Sequence, residues 1–86
     1  MYYDGEKIFK GAANHRRLEA LVLLSNHPGL STDEIVEKLK INYQTGAGHI
    51  QKLVHSGLAI AYREANLSRH KLSSIGMGII KLLIKQ

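Results

Sequence analysis

Ser31-Thr32-Asp33-Glu34-Ile35-Val36-Glu37-Lys38-Leu39-Lys40-Ile41-Asn42-Tyr43-Gln44-Thr45-Gly46-Ala47-Gly48-His49-Ile50-Gln51-Lys52-Leu53-Val54-His55-Ser56-Gly57-Leu58 holds two helix patterns, each with its own start signal, only a few residues apart. Ser31 with Glu34 three positions on is a capping box, in which each side chain satisfies a backbone N–H that the helix leaves unpaired. Leu30 and Ile35 stand where a hydrophobic staple would close over that cap. Ile35, Val36 and Leu39 make one apolar stripe, and Asp33, Glu34, Glu37 and Lys38 take the other side, as an amphipathic helix seated on a core requires. The early carboxylates suit the positive end of the helix dipole. Lys40 and Ile41 read as a turn, and Asn42 caps a second helix from Tyr43 to about Ser56, which Gly57 ends. Two helices joined by so short a turn have the layout of a helix-turn-helix, whose second helix ordinarily enters the DNA major groove.

In the second helix Ile50, Leu53 and Val54 supply the buried side, with Gly46 a turn earlier on the same face. Tyr43, Gln44, Ala47, Gly48, Gln51 and His55 then look outward. An exposed face with a Tyr and two Gln, on a helix without an acidic residue, suits a polyanion whose edges are read by hydrogen bonds.

Upstream, Arg16 to Asn26 carries Leu18, Leu21, Val22 and Leu24 at helical spacing, with Asn14 as cap and His27-Pro28-Gly29 as stop. Arg16 and Arg17 fall on the solvated side of this core helix. The first dozen residues, with Tyr2, Tyr3, Ile8 and Phe9 around Asp4-Gly5, fit a short hairpin, a frayed lead-in or an arm against a second subunit. Downstream the period changes to two. Leu58, Ile60 and Tyr62 alternate with Ala59, Ala61 and Arg63, which predicts a strand with one buried face. Residues 64–68 read as the turn and Arg69 to Leu72 as the returning strand, a hairpin whose tip and flanks carry Arg63, Asn66, Ser68, Arg69, His70 and Lys71. Ser73 or Ser74 would cap a last helix. Ile75, Ile79, Ile80, Leu82, Leu83 and Ile84 spread apolar surface over more than one of its faces. Such a helix is covered either by a second copy of the chain or by the chain's own first helix.

Composition agrees with one small folded domain over residues 1–86, since 86 residues with 44% hydrophobic content support a single modest core. Cysteine is absent, so disulfides and thiolate metal sites are excluded. No apolar run is long enough to span a bilayer, and a cytoplasmic protein without membrane attachment is expected. The five histidines show no close ligand spacing, and His49 and His55, six apart, lie on different helix faces; no metal and no cofactor is expected. Neither a nucleophile elbow nor a phosphate-binding loop is present, and an enzyme is not expected. The net charge of +5 is unevenly placed: residues 1–39 hold five Lys or Arg against six Asp or Glu, and residues 40–86 hold seven against Glu64 alone. The cationic half therefore begins at the second helix, where phosphates would lie.

The chain resembles the winged helix-turn-helix transcriptional regulators of bacteria and archaea, in the broad ArsR-like and MarR-like sense, from about Asn14 to Leu83. Ser31-Thr32-Asp33-Glu34-Ile35, Ile41-Asn42-Tyr43-Gln44-Thr45, His49-Ile50-Gln51-Lys52-Leu53 and Ser56-Gly57-Leu58 carry the resemblance, and the start at Asn42 and Tyr43 is especially like archaeal members. Gly46 departs from it, since an aliphatic residue is usual there, and so does Gly48, where a basic or polar one is common. The resemblance implies a mainly α fold with a small β-hairpin wing: helix-turn-helix over 31–57, wing over 58–72, C-terminal helix over 74–86. It further implies sequence-specific binding of double-stranded DNA by a homodimer joined through the C-terminal helix. The implied contact set is Thr32, Asn42, Tyr43, Gln44, Thr45, Gly48, His49, Gln51, Lys52 and His55, with Arg63, Asn66, Ser68, Arg69 and Lys71 on the wing. Tyr43, Gln44 and Gln51 would touch base edges, while Thr32, Thr45, Lys52 and the wing hold phosphates. The rival reading is an adaptor module that presents the same basic face to an acidic protein or to RNA.

Overall fold

Seven elements follow in chain order: α1 (Gly5–Asn26), β1 (Leu30–Ser31), α2 (Thr32–Leu39), α3 (Tyr43–His55), β2 (Ala59–Glu64), β3 (Leu67–Leu72) and α4 (Ser74–Ile84). The structure, a computed structural model, describes the backbone of residues 5–84 and the side chains of residues 15–83. Tyr2, Tyr3 and Asp4, expected in a short hairpin, a frayed lead-in or an arm, lie outside the described residues. From Gly5 onward the hairpin alternative is replaced by helix, and Asn14 lies inside α1 instead of capping it. Ala12 and Ala13 favour helix strongly enough to carry it through. α1 ends at Asn26, before the expected His27-Pro28-Gly29 stop, where Gly29 takes a left-handed φ of +99° suited to glycine.

The caps form as their spacing predicts. Ser31 Oγ accepts from Glu34 N at 3.2 Å, and Glu34 Oε1 accepts from Ser31 N at 2.9 Å. That backbone N–H holds the Glu34 carboxyl below its ordinary range. A lowered pKa in the folded state means the box stabilises above the carboxylate range and weakens as pH falls through it. Lys40 closes α2 in a left-handed conformation, φ 58°, and Asn42 Oδ1 accepts from Thr45 N at 3.2 Å to open α3.

Ala20, Leu21 and Leu24 of α1, Ile35 of α2, Ile50 and Leu53 of α3, Ala59 of β2 and Ile80 of α4 form the core. Gly46 is buried where α3 meets α2. A Cβ there would overlap Val36 Cγ1 and lie 3.1 Å from Ile41 Cδ1. The glycine thus serves close helix crossing, and an aliphatic side chain would force the two helices apart.

Three antiparallel strands stand in the order β1-β3-β2. β1 was not anticipated: Leu30 pairs with His70 and Ser31 with Arg69, so the residue that caps α2 also holds the sheet edge. The wing turn is shorter than the 64–68 expected. Ala65 and Asn66 alone make it, at φ 52° and 69°, and Glu64 pairs directly with Leu67. Two consecutive positive φ values give the twist that a two-residue hairpin needs. Burial along the hairpin follows the alternation only in part, with Ala61 exposed and Tyr62 half-buried. Ala59 and His70 are buried beneath α3, whereas Ile60 and Leu67 are exposed. The small side chain of Ala59 is the β2 residue that enters the core.

Ser73 caps α4. Its Oγ accepts from Gly76 N at 3.0 Å and donates to Gly57 O, while Ser73 N donates to Leu58 O at 3.0 Å. Gly76 is buried against this junction, and a Cβ there would overlap Leu58 O. α4 packs on α1 through Ile80, and Ile75, Met77, Leu82 and Leu83 remain exposed, Leu82 at 77%. No described helix is long and apolar enough to cross a membrane.

Candidate nucleic-acid interface

The 3.6-residue period of α3 places Gln44, Gly48, Gln51 and His55 along one line, opposite the buried Gly46, Ile50 and Leu53. Gln44, Gln51 and His55 are exposed, as is Tyr43 at the helix start. Thr45, His49 and Lys52 form the flank toward α1, and Ala47 and Val54 the flank toward the sheet. The centre of the outward line is bare, for nothing lies within 4 Å of a Cβ built at Gly48. Replacing this helix-interior glycine by alanine is therefore expected to stabilise the fold by about 1 kcal/mol. A rise in melting temperature of about 4–8 °C would register it.

On the sheet side, a groove of about 360 Å³ runs between α3 and the hairpin, bordered by Thr32, Gln51, His55, Ala61 and His70. His70 is only 4% exposed, and its Nδ1 lies 3.0 Å from Leu30 O. A carbonyl only accepts, so Nδ1 carries the proton and donates. His70 is thus a buried strut, not part of the exposed wing flank. Arg63 is exposed at the tip and donates to Asn66 O at 3.3 Å, while the Lys71 ammonium stands 5.4 Å from the Tyr62 ring centroid. Asn66 is exposed and Ser68 half-buried. Arg69 has internal partners. Its guanidinium donates to Gly29 O at 2.9 Å and lies 3.0 Å from Glu64 and 4.0 Å from Glu34. The approach to Glu64 is an ion pair by distance but lacks hydrogen-bond alignment at Nε. Arg69 therefore ties the wing to β1 and α2.

On the α1 side, Arg17, Lys52 and Ser56 rim a groove of about 500 Å³ floored by Leu18, Leu21, Leu53, Leu58 and Leu83. His49 lies in this neighbourhood, half-buried. Desolvation, then Arg17, Lys52 and Arg16, hold its imidazole pKa below the ordinary value. In the DNA-free chain this histidine is thus disfavoured as a cation, a direction opposite to that expected beside a phosphate. Sequence reading placed Arg16 and Arg17 on a solvated helix side. It could not place them next to α3, because only the packing of α1 decides that. Among the described residues no group of three His, Asp or Glu side chains is arranged to hold a metal ion.

No family model matches the chain, and no curated protein matches it. Solved structures do match it in shape. The homodimeric winged helix-turn-helix DNA-binding domain of a possible ArsR-family transcriptional regulator from Mycobacterium bovis is 25% identical, with a TM-score of 0.72 over 93% of this chain and 73% of that one. The transcriptional regulator SlyA is 22% identical, with a TM-score of 0.74 over 81% of this chain and 51% of its own. MepR of S. aureus, in a complex with DNA, is 19% identical, with a TM-score of 0.74 over 78% and 58%. The chain spans about half the length of SlyA. It has the winged helix-turn-helix fold of these MarR-like and ArsR-like regulators.

Proposed function

We propose that the chain binds double-stranded DNA with sequence preference and acts as a transcriptional regulator, with α3 in the major groove and the hairpin along the adjoining backbone. One observation carries the reading most directly: the line Gln44, Gly48, Gln51 and His55 is polar, outward-facing and without a carboxylate. It bears amides able to pair with base edges. Tyr43 and the two glutamines touch bases in this reading. Asn42, Thr32, Thr45, His49, Lys52, Arg63, Asn66, Ser68 and Lys71 line the phosphates, whereas Arg69 acts mainly by holding the wing. The DNA complex of MepR and the DNA-binding domain from M. bovis support the same assignment. The chain works as a homodimer through α4, whose Ile75, Met77, Leu82 and Leu83 present apolar surface to solvent in the single chain. A cytoplasmic location and a non-catalytic role belong to the same reading.

Selection of bound duplexes from a random pool, followed by sizing of the complex, tests it. Enrichment of a roughly palindromic site bound by two chains is expected, because two-fold symmetry in the protein is mirrored in the site. Failure to enrich any sequence at low salt would sink the regulator reading. A single, unrepeated half-site bound by one chain would sink the dimer.

A further inference from the structure

We infer that the flank of α3 facing α1 is a second phosphate clamp, in which Arg16 and Arg17 act with Lys52, and that His49 takes up a proton when a nucleic-acid backbone enters it. The inference rests on the DNA-binding reading above and adds to it a proton linkage and two contact residues outside the helix-turn-helix.

A helix lying in the major groove has a sugar-phosphate strand on each side. The hairpin and the start of α2 serve the sheet side of α3. On the opposite side Thr45, His49 and Lys52 follow one another at four- and three-residue steps. Arg17 and Lys52 meet there at the rim of one groove. Two helices thus bring Arg17 and Lys52 to one rim, beside the flank of α3 that carries His49. Glu19 pairs with Arg16 at 2.9 Å and lies 3.5 Å from His15. From α1 the groups acting on His49 are Arg17 and Arg16, and from its own helix Lys52. α2 and β2 also pack on α3, and neither supplies a described charge acting on His49.

Cations beside a partly buried imidazole disfavour its protonated form. A phosphate reverses the sign of the local field and favours the charged ring. In the DNA-free chain the pKa is depressed, so the ring is neutral over more of the neutral range. In the complex it is raised, and between the two values binding takes up a proton. Affinity must then rise as pH falls, by up to about tenfold per pH unit for one proton. A His49 that stays neutral and merely packs contributes no such slope.

Anisotropy titration of a labelled, mixed-sequence duplex, repeated across pH 5.5 to 8 (about the range in which histidine titrates) and over several salt concentrations, reads both parts. Wild type should bind more tightly at low pH. His49→Gln should lose most of that pH slope, and His55→Gln should leave the share due to His49 in place. Arg16→Gln and Arg17→Gln should each flatten the dependence of log affinity on log salt by about 0.9. NMR titration of the His49 imidazole in the unmodified protein, alone and with duplex, checks the proton without a substitution and should show its pKa moving up on binding. An undiminished pH slope in His49→Gln together with an unmoved imidazole overturns the proton linkage. Unchanged salt slopes in both arginine variants overturn the clamp. Absence of any duplex binding by wild type at low salt overturns the DNA reading itself, and the inference with it.

Discussion

Replacing Gly76 by alanine is expected to destabilise the chain by about 2 kcal/mol or more, which would lower its melting temperature by about 8 °C or more. The added methyl would overlap Leu58 O, a backbone atom that cannot turn aside as a side chain can. Nor can α4 retreat without cost, because Leu58 O also accepts from Ser73 N, and Ser73 Oγ binds both Gly57 O and Gly76 N. Gly46→Ala meets a softer obstacle in the Val36 methyl and the tip of Ile41. It should cost less, though Val36 is locked in rotamer by its helix. Gly78 has open space around it, and alanine there should stabilise by about 1 kcal/mol. Urea or thermal unfolding of the three variants gives the comparison. Equal melting of Gly76→Ala and Gly78→Ala would mean that α4 is not seated on Leu58.

The second large effect is expected in recognition: changing Gln44 and Gln51 together to alanine should reduce the preference for a selected site over mixed sequence by about a hundredfold or more. A bidentate side-chain contact to a base edge discriminates by about 1–3 kcal/mol, and two are removed. Affinity for mixed-sequence duplex at low salt should change little, since phosphates supply most of it and the cationic flanks are untouched. Both glutamines are exposed on α3, so the fold should tolerate the change. Competition binding with both duplexes measures the ratio. A double variant that keeps its site preference would remove α3 from the role of reader.

Local chemistry made the helix-turn-helix legible. Ser31 with Glu34, and Asn42 with Thr45, act over three residues, so their spacing alone predicts them. The hairpin was legible as a hairpin but not in its orientation. Alternation tells which residues share a face, and the space left beneath α3 decides that Ala59 and His70, not Ile60, go inside. β1 was hidden because two residues carry no period and their partner lies 40 positions away. Gly46 stood out in the sequence only as a departure from the usual aliphatic residue, and its neighbours in space give it a use. Arg69 and Arg16 were both visible as cations. One is drawn across the fold to Gly29 and Glu64, and the other pairs within its own helix with Glu19, a difference that packing of distant elements decides for Arg69.

Ser73 has a consequence for the geometry of any paired assembly. Its hydroxyl and amide bolt the exit of α3 to the entry of α4, and Gly76 closes the same seam. The reading helix and the helix offered for pairing therefore behave as a single bracket, without a hinge between them. Two such brackets joined through α4 would hold their reading helices at a fixed pitch, with the angle at the α4 seam as the one adjustable quantity. A partner or ligand that rotated that seam slightly would move both reading helices out of step with grooves spaced about 34 Å apart. Changing Ser73 to alanine would loosen the bracket and let the chain accept half-sites at more than one spacing.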